Sequence, residues 1–341
     1  MRELSDQGEP GDANYSILER IAIRNFLQAE NKSEVVSDII NGLSAHQKKI
    51  SSRFFYDTKG SWLFEKITAL PEYYPTRTEI SILNRAAQEI IDSHEYPDFV
   101  ELGSGDCSKI SIFLDTFQQD ELERINYYPV DVSESAVLKS AEELVQKYPG
   151  LQVHGILADF MKHLDALPEK GNSLICFFGS TLGNLANDEA STFICHIKRY
   201  MKKGDSFLLG LDMVKDIKTV ESAYNDTQSV TAAFNRNILS VVNRLAETNF
   251  NPVDFNHNAF FNSERSRIEM HLEARKDLVI ESPHLQTGLI MKAGETIHTE
   301  NSRKFTHEDI LELANVSGLS IQGIYTDQRE WFSLVHLVCK G

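Results

Sequence analysis

Val100-Glu101-Leu102-Gly103-Ser104-Gly105 ends an expected strand and is followed, from Lys109, by apolar residues at helical spacing. A glycine pair at the end of a strand lets the backbone turn tightly and approach a ligand closely. A dinucleotide fingerprint would place a third glycine at position 108, where Ser108 stands. A phosphate-binding P-loop would need a longer spacing closed by Gly-Lys-Ser or Gly-Lys-Thr, which this stretch lacks. Working outward, strands are expected at 98–102, 127–131, 151–156, 174–178 and 206–211, with helical patterns at 109–117, 135–147 and 188–201 between them. This alternation predicts a parallel α/β sheet. Upstream, the residues from Ser33 to Ile50 place Val35, Val36, Ile39, Ile40 and Leu43 on one helical face. Thr76-Arg77-Thr78-Glu79 has the spacing of a capping box and is expected to open a helix that runs through Ile91.

After Asp212 the alternation stops. Residues 215–245 read as one or two long helices, and 259–304 as a more β-like stretch with strands at 267–272 and 289–291. The α/β pattern then returns, with a helix at 307–316 and strands at 320–325 and 331–339. The expected fold class is α/β, a doubly wound Rossmann-like domain built from 78–214 and 305–341. A second, inserted α+β lobe that binds the substrate would come from 16–77 and 215–304. The segment from Arg53 to Arg77 is dense in aromatic rings and belongs to that lobe. Residues 1–15 are expected to be disordered. With a formal net charge of −16, the chain would be repelled by nucleic acid and by anionic membranes, so neither is expected as a partner. No apolar run has the length of a membrane span, and the polar start carries no secretion signal, so a cytoplasmic protein is expected. Cys107, Cys176, Cys195 and Cys339 lack metal-ligand spacing and read as free thiols, all but Cys107 in the core.

The other expected strand ends carry their own chemistry. A strand bearing an acid and followed by Gly-x-Gly resembles the cofactor loop of Rossmann-like methyltransferases. Asp131 closes the next strand, where a carboxylate can bind two ribose hydroxyls. Asp159 and Phe160 follow the third, a carboxylate for an adenine amino group beside a ring to stack on it. After the fourth comes Phe178-Gly179-Ser180-Thr181-Leu182-Gly183-Asn184. Gly179 and Gly183 permit close backbone approach, and the Asn184 amide can hold a carboxylate or an amine. Tyr224 lies in a predicted helix. Glu300 and Ser302, two apart, share one side of an extended segment and could grip a polar ring. Each has an ordinary structural alternative: a helix cap for Asp131, an Asx turn for Asn184, a half-buried core ring for Tyr224, a solvated charge for Glu300. The ordered recurrence at successive strand ends is what favours one adenosine lying across the sheet edge.

Several long stretches resemble the histidine-specific Nα-methyltransferases of ergothioneine biosynthesis. They are FYDTKGSWLFEKITALPEYYPTRTE from Phe55, VELGSGDCSK from Val100, ADF from Ala158, FFGSTLGNL from Phe177, VKD from Val214, VTAAFNRN from Val230, RIEM from Arg267 and TENSRKF from Thr299. The resemblance implies S-adenosylmethionine as cofactor, contacted by Tyr56, Gly103, Lys109, Asp131, Asp159 and Phe160. Lys109 would meet the carboxylate of its methionine portion. It implies L-histidine as substrate, walled by Phe64 and Tyr73 and held by Asn184 and Tyr224 near the Gly179 backbone. Glu300 and Ser302 would bind the imidazole, with Met270 beside it. Tyr56, Asn184 and Tyr224 are thereby the candidate catalytic residues, with no metal. The implied product is the trimethyl betaine, hercynine. Two alternatives stay open, an N-methyltransferase for another aromatic amino acid and a non-catalytic relative that binds the cofactor. The sequence sets no oligomeric state and is compatible with a monomer.

Overall fold

A computed structural model describes residues 19–27, 32–168 and 171–340. The expectation of disorder at 1–15 lies outside the described residues. The chain begins with strand β1 (Ile21–Asn25), helix α1 (Lys32–Ser44) and the short β2 (Lys48–Lys49). The helix expected to reach Ile50 stops early because the chain doubles back. A Cβ on Gly42 would lie 2.5 Å from the Lys49 carbonyl oxygen, so only glycine admits that contact. Helices α2 (Thr58–Thr68) and α3 (Tyr74–Ile91) follow.

Then comes the alternating part: β3 (Asp98–Leu102), α4 (Ser108–Leu114), β4 (Asn126–Asp131), α5 (Glu134–Lys147), β5 (Gln152–Leu157), β6 (Ser173–Phe177), α6 (Asn187–Tyr200) and β7 (Ser206–Asp212). These match the expected elements to within a few residues. The stretch after Asp212 forms two helices, α7 (Ile217–Tyr224) and α8 (Val230–Ala246). Strands β8 (Phe255–Asn262), β9 (Arg267–Ala274), β10 (Leu278–Ile280), β11 (Leu289–Met291) and β12 (Thr296–Arg303) come next, then α9 (His307–Ser317), β13 (Ser320–Thr326) and β14 (Phe332–Val338).

The main sheet has eight strands in the order β1-β5-β4-β3-β6-β7-β14-β13. All neighbours from β1 to β7 are parallel; β14 runs antiparallel to β7 and to β13. Every residue of β3 and β6 is buried, as expected of central strands covered on both faces. From β3 the strand order runs outward through β4 and β5, then returns to β6 on the other side. The carboxyl ends of β3 and β6 therefore flank a topological switch point, where open α/β sheets take their ligands. One boundary differs from expectation. Ile21–Asn25, assigned by sequence to the second lobe, pairs in parallel with β5 and extends the main sheet.

The second sheet has the order β2-β12-β9-β8 and shares a core with the helices around it. Ile297, Met270 and Leu272 pack there with Leu43, Phe55, Phe234 and Ile238. All four cysteines are free thiols; Cys176 and Cys339 are buried, whereas Cys195, expected in the core, is half-buried. Among the described residues no helix is long and apolar enough to cross a membrane.

Candidate active site

Gly103 and Gly105 both have positive φ, +67° and +51°, so the loop after β3 turns as glycine alone turns easily. A Cβ on Gly105 would meet nothing within 4 Å, and one on Gly103 would meet only the Phe160 ring, at 3.7 Å. The loop thus presents bare backbone to open space beside an aromatic face. Asp131, at the end of β4, accepts from the Gly105 amide at 3.1 Å and the Ser133 amide at 2.9 Å. Burial raises its pKa, and those backbone bonds pull the other way. Each oxygen keeps a lone pair for a further donor. Asp159 also accepts from Arg53, at 3.1 Å, which ties the aromatic segment to the end of β5. Phe160 packs edge-on against Phe177, with centroids 5.2 Å apart. These residues fit an adenosine: a glycine loop, an acid at the next strand end and a ring beside them.

Glu79 corrects the expected capping box. Pro75 sits in the first turn of α3, where proline is favoured, so the helix starts at Tyr74 and Glu79 falls inside it. Its carboxylate is completely buried and accepts from the Gly179 amide at 3.0 Å and the Lys109 ammonium at 2.8 Å. A Cβ on Gly210 would lie 2.1 Å from Glu79 Oε1, so β7 requires glycine there to admit the acid. Burial pulls the Lys109 pKa down, but Glu79 and then Glu101 outweigh it and raise it. Lys109, read from resemblance as a ligand for a carboxylate, is thus paired to Glu79 and holds two further donors. Buried Glu101 accepts from Tyr127 at 2.6 Å, and burial pushes its carboxyl up to about 8 against that bond.

The loop after β6 is clamped from both sides. Gly179 has φ +73°, and Ser180 adopts a left-handed conformation with its hydroxyl accepting from the Asp212 amide at 2.9 Å. A Cβ on Gly183 would lie 2.9 Å from the Arg303 carbonyl oxygen, so the 3-10 turn Thr181–Asn184 packs directly on β12. Asn184 makes no side-chain hydrogen bond to another described residue, and none links it to Tyr224.

The aromatic segment closes the other side. Gly60 packs against the Phe55 carbonyl, where a Cβ would lie 1.6 Å away. Asp57 caps α2 through the Gly60 amide at 2.9 Å and accepts from Asn237 at 2.9 Å. These contacts fix Tyr56 between the two. Rings then follow edge to face: Tyr56 to Phe64 at 5.8 Å, Phe64 to Tyr73 at 6.3 Å, Tyr73 to Tyr224 at 6.2 Å. Burial raises the Tyr56 pKa well above the ordinary tyrosine value, with further upward pushes from Glu300, Tyr73 and Asp131. Tyr56 therefore feels both the acid at the end of β4 and the acid on β12.

Glu300 owes its place to a β-bulge. In β12 the pairing with β9 runs His298 to His271 and then Glu300 to Met270, leaving Thr299 extra. Residues opposite each other share a face, so Glu300, Ser302 and Met270 lie on the core side and His298 on the other. The FNRN stretch of α8 holds the bulge. Buried Asn235 accepts from the Thr299 hydroxyl at 2.7 Å and donates to the His271 carbonyl at 3.0 Å. Glu300 makes no hydrogen bond to another described residue. Burial pushes its carboxyl up to about 8, with Lys304 pulling it down. Ser302 accepts from Tyr224 at 2.6 Å and from Lys304 at 2.8 Å.

Lys304, completely buried, had no role in the sequence reading. It pairs with Asp212 at 2.8 Å, and Asp212 also takes Lys215 and, at 2.8 and 2.9 Å, the Tyr74 hydroxyl. Burial would raise the Asp212 pKa, but Lys304 and Lys215 overrule it and lower it. This buried network joins the end of β7 to β12. Only the inclusion of Lys304 and Lys215 in the stretches TENSRKF and VKD marked them beforehand.

A parallel sheet with a glycine loop at its switch point, an acid at the next strand end and an antiparallel β14 defines the Rossmann-like class of S-adenosylmethionine-dependent methyltransferases. The profile of one family, described as histidine-specific methyltransferase, SAM-dependent, matches residues 35–339, and the chain belongs to that family. It is 40% identical over 316 residues to a histidine N-alpha-methyltransferase of Mycolicibacterium smegmatis, covering 92% of this chain and 98% of that one. It is 38% identical to the protein of the same name from Mycobacterium tuberculosis, again over 92% and 98% of the two chains. A 29% identical match, over 68% of this chain and 31% of the other, is to ergothioneine biosynthesis protein 1 of Schizosaccharomyces pombe.

Proposed function

We infer that the protein transfers methyl groups from S-adenosylmethionine to the α-amino nitrogen of L-histidine, through to the trimethyl betaine hercynine, as ergothioneine biosynthesis requires. It acts in the cytoplasm, on a small molecule, without nucleic acid or membrane. The observation that carries the choice of acceptor is Glu300: a half-buried carboxyl with no hydrogen bond to a described residue, set by a bulge on the side of Tyr56, Tyr73 and Tyr224. An imidazole N–H satisfies it. Ser302 takes the second ring position and Met270 packs beside the ring.

Asp131 binds the ribose hydroxyls, Asp159 and Phe160 the adenine, and Lys109 the methionine carboxylate. Gly103 lets the backbone approach. Asn184 and Tyr224 hold the carboxylate of histidine near Gly179. The cofactor supplies a methyl group on a cationic sulfur, whose charge disappears as the methyl leaves. The protein forms no covalent bond in this scheme; its contribution is to hold the amine aligned and within reach. Burial keeps Tyr56 a neutral phenol, so it orients the amine through its oxygen and carries no charge. The ring series Tyr56, Phe64, Tyr73 and Tyr224 gives the growing ammonium group aromatic faces to rest on.

The test pairs product masses with competition. Purified protein and S-adenosylmethionine are offered each of twenty amino acids; histidine alone should gain three methyl groups. Glu300→Ala should then lower kcat/KM for histidine by tenfold or more, about 1.4 kcal/mol per decade, and narrow its lead over phenylalanine and tryptophan. An unchanged selectivity ratio would mean that Glu300 does not read the imidazole. Cofactor binding without turnover of any amine would mean a binding protein.

A further inference from the structure

The opposite face of the second sheet carries a cluster that the methyl-transfer reading leaves unused. Glu269 and His271 alternate along β9 and so share a face. His298 on β12 stands opposite His271, and Asn301 opposite Glu269. Because Thr299 bulges, this face is the reverse of the one bearing Glu300 and Met270. One ligand-type atom from each of Glu269, His271 and His298 lies within 4.8 Å of the other two. The His271 and His298 rings are 5.0 Å apart, and Phe260 stacks over His271 at 5.4 Å.

The hydrogen bonding leaves acceptors pointing inward. Glu269 Oε1 is taken by Arg267, at 2.7 and 2.9 Å, and by Asn262 at 3.0 Å. Oε2 is left facing His271 Nε2 at 3.3 Å. His271 Nδ1 lies 3.2 Å from the Thr296 hydroxyl. If Nδ1 donates there, Nε2 presents a lone pair to the carboxylate; a bond of this kind fixes the tautomer and ring orientation of a metal-ligating histidine. His298 Nε2 is buried with no partner, and so is Asn301 Oδ1. A proton shared between His271 and Glu269 would satisfy that pair and leave His298 with only the Asn301 side chain, whose bond to it falls short of hydrogen-bond geometry. A cation would draw on one lone pair each from Glu269, His271 and His298.

We propose that Glu269, His271 and His298 form a binding site for a divalent zinc-class ion, on the reverse face of the sheet that carries Glu300. Two imidazoles and a carboxylate suit such an ion, with the Asn301 carbonyl or water in the fourth position. Bond lengths of about 2.0–2.2 Å put tetrahedral ligand atoms about 3.3 Å apart. Glu269 and His271 already have that separation, and His298 closes the rest by a side-chain movement. The site does not depend on the identity of the methyl acceptor.

The test uses the full, untagged chain, stripped with chelator and titrated with ZnCl2 by calorimetry, then with CoCl2 by visible absorption. One Zn²⁺ per chain, a tetrahedral-type Co²⁺ spectrum and a Zn²⁺-dependent rise in Tm are expected. His298→Ala and Glu269→Gln, each checked by circular dichroism for native fold, should weaken Zn²⁺ binding tenfold or more and abolish the Tm rise. Glu269→Gln keeps an oxygen for Arg267, so it guards against a mere folding defect. No Zn²⁺ bound by the wild type, or wild-type affinity in both variants, would overturn the proposal.

Discussion

The two sheets place chemistry in different ways. In the eight-stranded sheet the strands are mostly packing material, and the groups proposed to meet the ligands stand at or just beyond their carboxyl ends: Gly103, Asp131, Asp159, Gly179. In the four-stranded sheet the strands themselves carry the groups, with Glu300 and Ser302 within β12 and Met270 in β9. A loop can change residue by residue without moving the sheet under it. A strand position is tied to register, so a group placed there is aimed by the whole ladder. The first arrangement suits a long cofactor gripped at several strand ends; the second suits a ring read by two side chains.

The strongest way to break this comparison is to cut the link between the sheets. Lys304→Met should leave Asp212 with Lys215 as its only cation, in a buried place where breaking an ion pair typically costs about 3–5 kcal/mol. Denaturant unfolding should show that loss. A variant as stable as wild type would mean that the Lys304–Asp212 pair adds nothing net to the joint between the lobes. The next effects should separate the two halves. Asn235→Ala removes the partner of Thr299 and should raise the histidine KM while leaving cofactor affinity alone. Asp131→Ala should do the reverse, weakening cofactor binding by about 1–3 kcal/mol, the cost of a hydrogen bond to a charged group. Calorimetry of both ligands on both variants decides; losses in the same ligand would erase the division of labour. A further effect should be a slope with pH. The Glu300 carboxyl is raised to about 8 from 4.5, so between those values the folded state holds a proton that the unfolded state has released. Stability therefore falls as pH rises through that window. Glu300→Gln should remove this part of the slope, so its Tm advantage over wild type should grow from pH 5 to pH 8. Parallel Tm curves would place Glu300 in water.

The main sheet was legible because short apolar strands recur between helical periods, as in Ser173–Phe177 and Ser206–Asp212. β1 was not, since five residues alternating Ile-Ala-Ile-Arg-Asn carry no sign of which sheet they join. Glu79 was misread because its spacing from Thr76 is that of a cap, and spacing cannot tell a helix start from a second turn; Pro75 held the corrective signal. The grouping of Glu300 with Ser302 survived, since the bulge lies before both. Its cause stayed hidden: the inserted Thr299 looks like any strand residue, and only the partner register exposes it. Lys304 stayed hidden for another reason. A lysine beside an arginine reads as a solvated face, and its burial follows from Asp212, far away in the chain.

The same bulge settles a rivalry inside the chain. His298 and Glu300 are two residues apart, so a regular strand would set them side by side on one face. The protein's own imidazole would then stand next to the carboxyl proposed to receive an imidazole from outside. With Thr299 out of register, His298 turns to the far side of the sheet and Glu300 is left without an internal competitor.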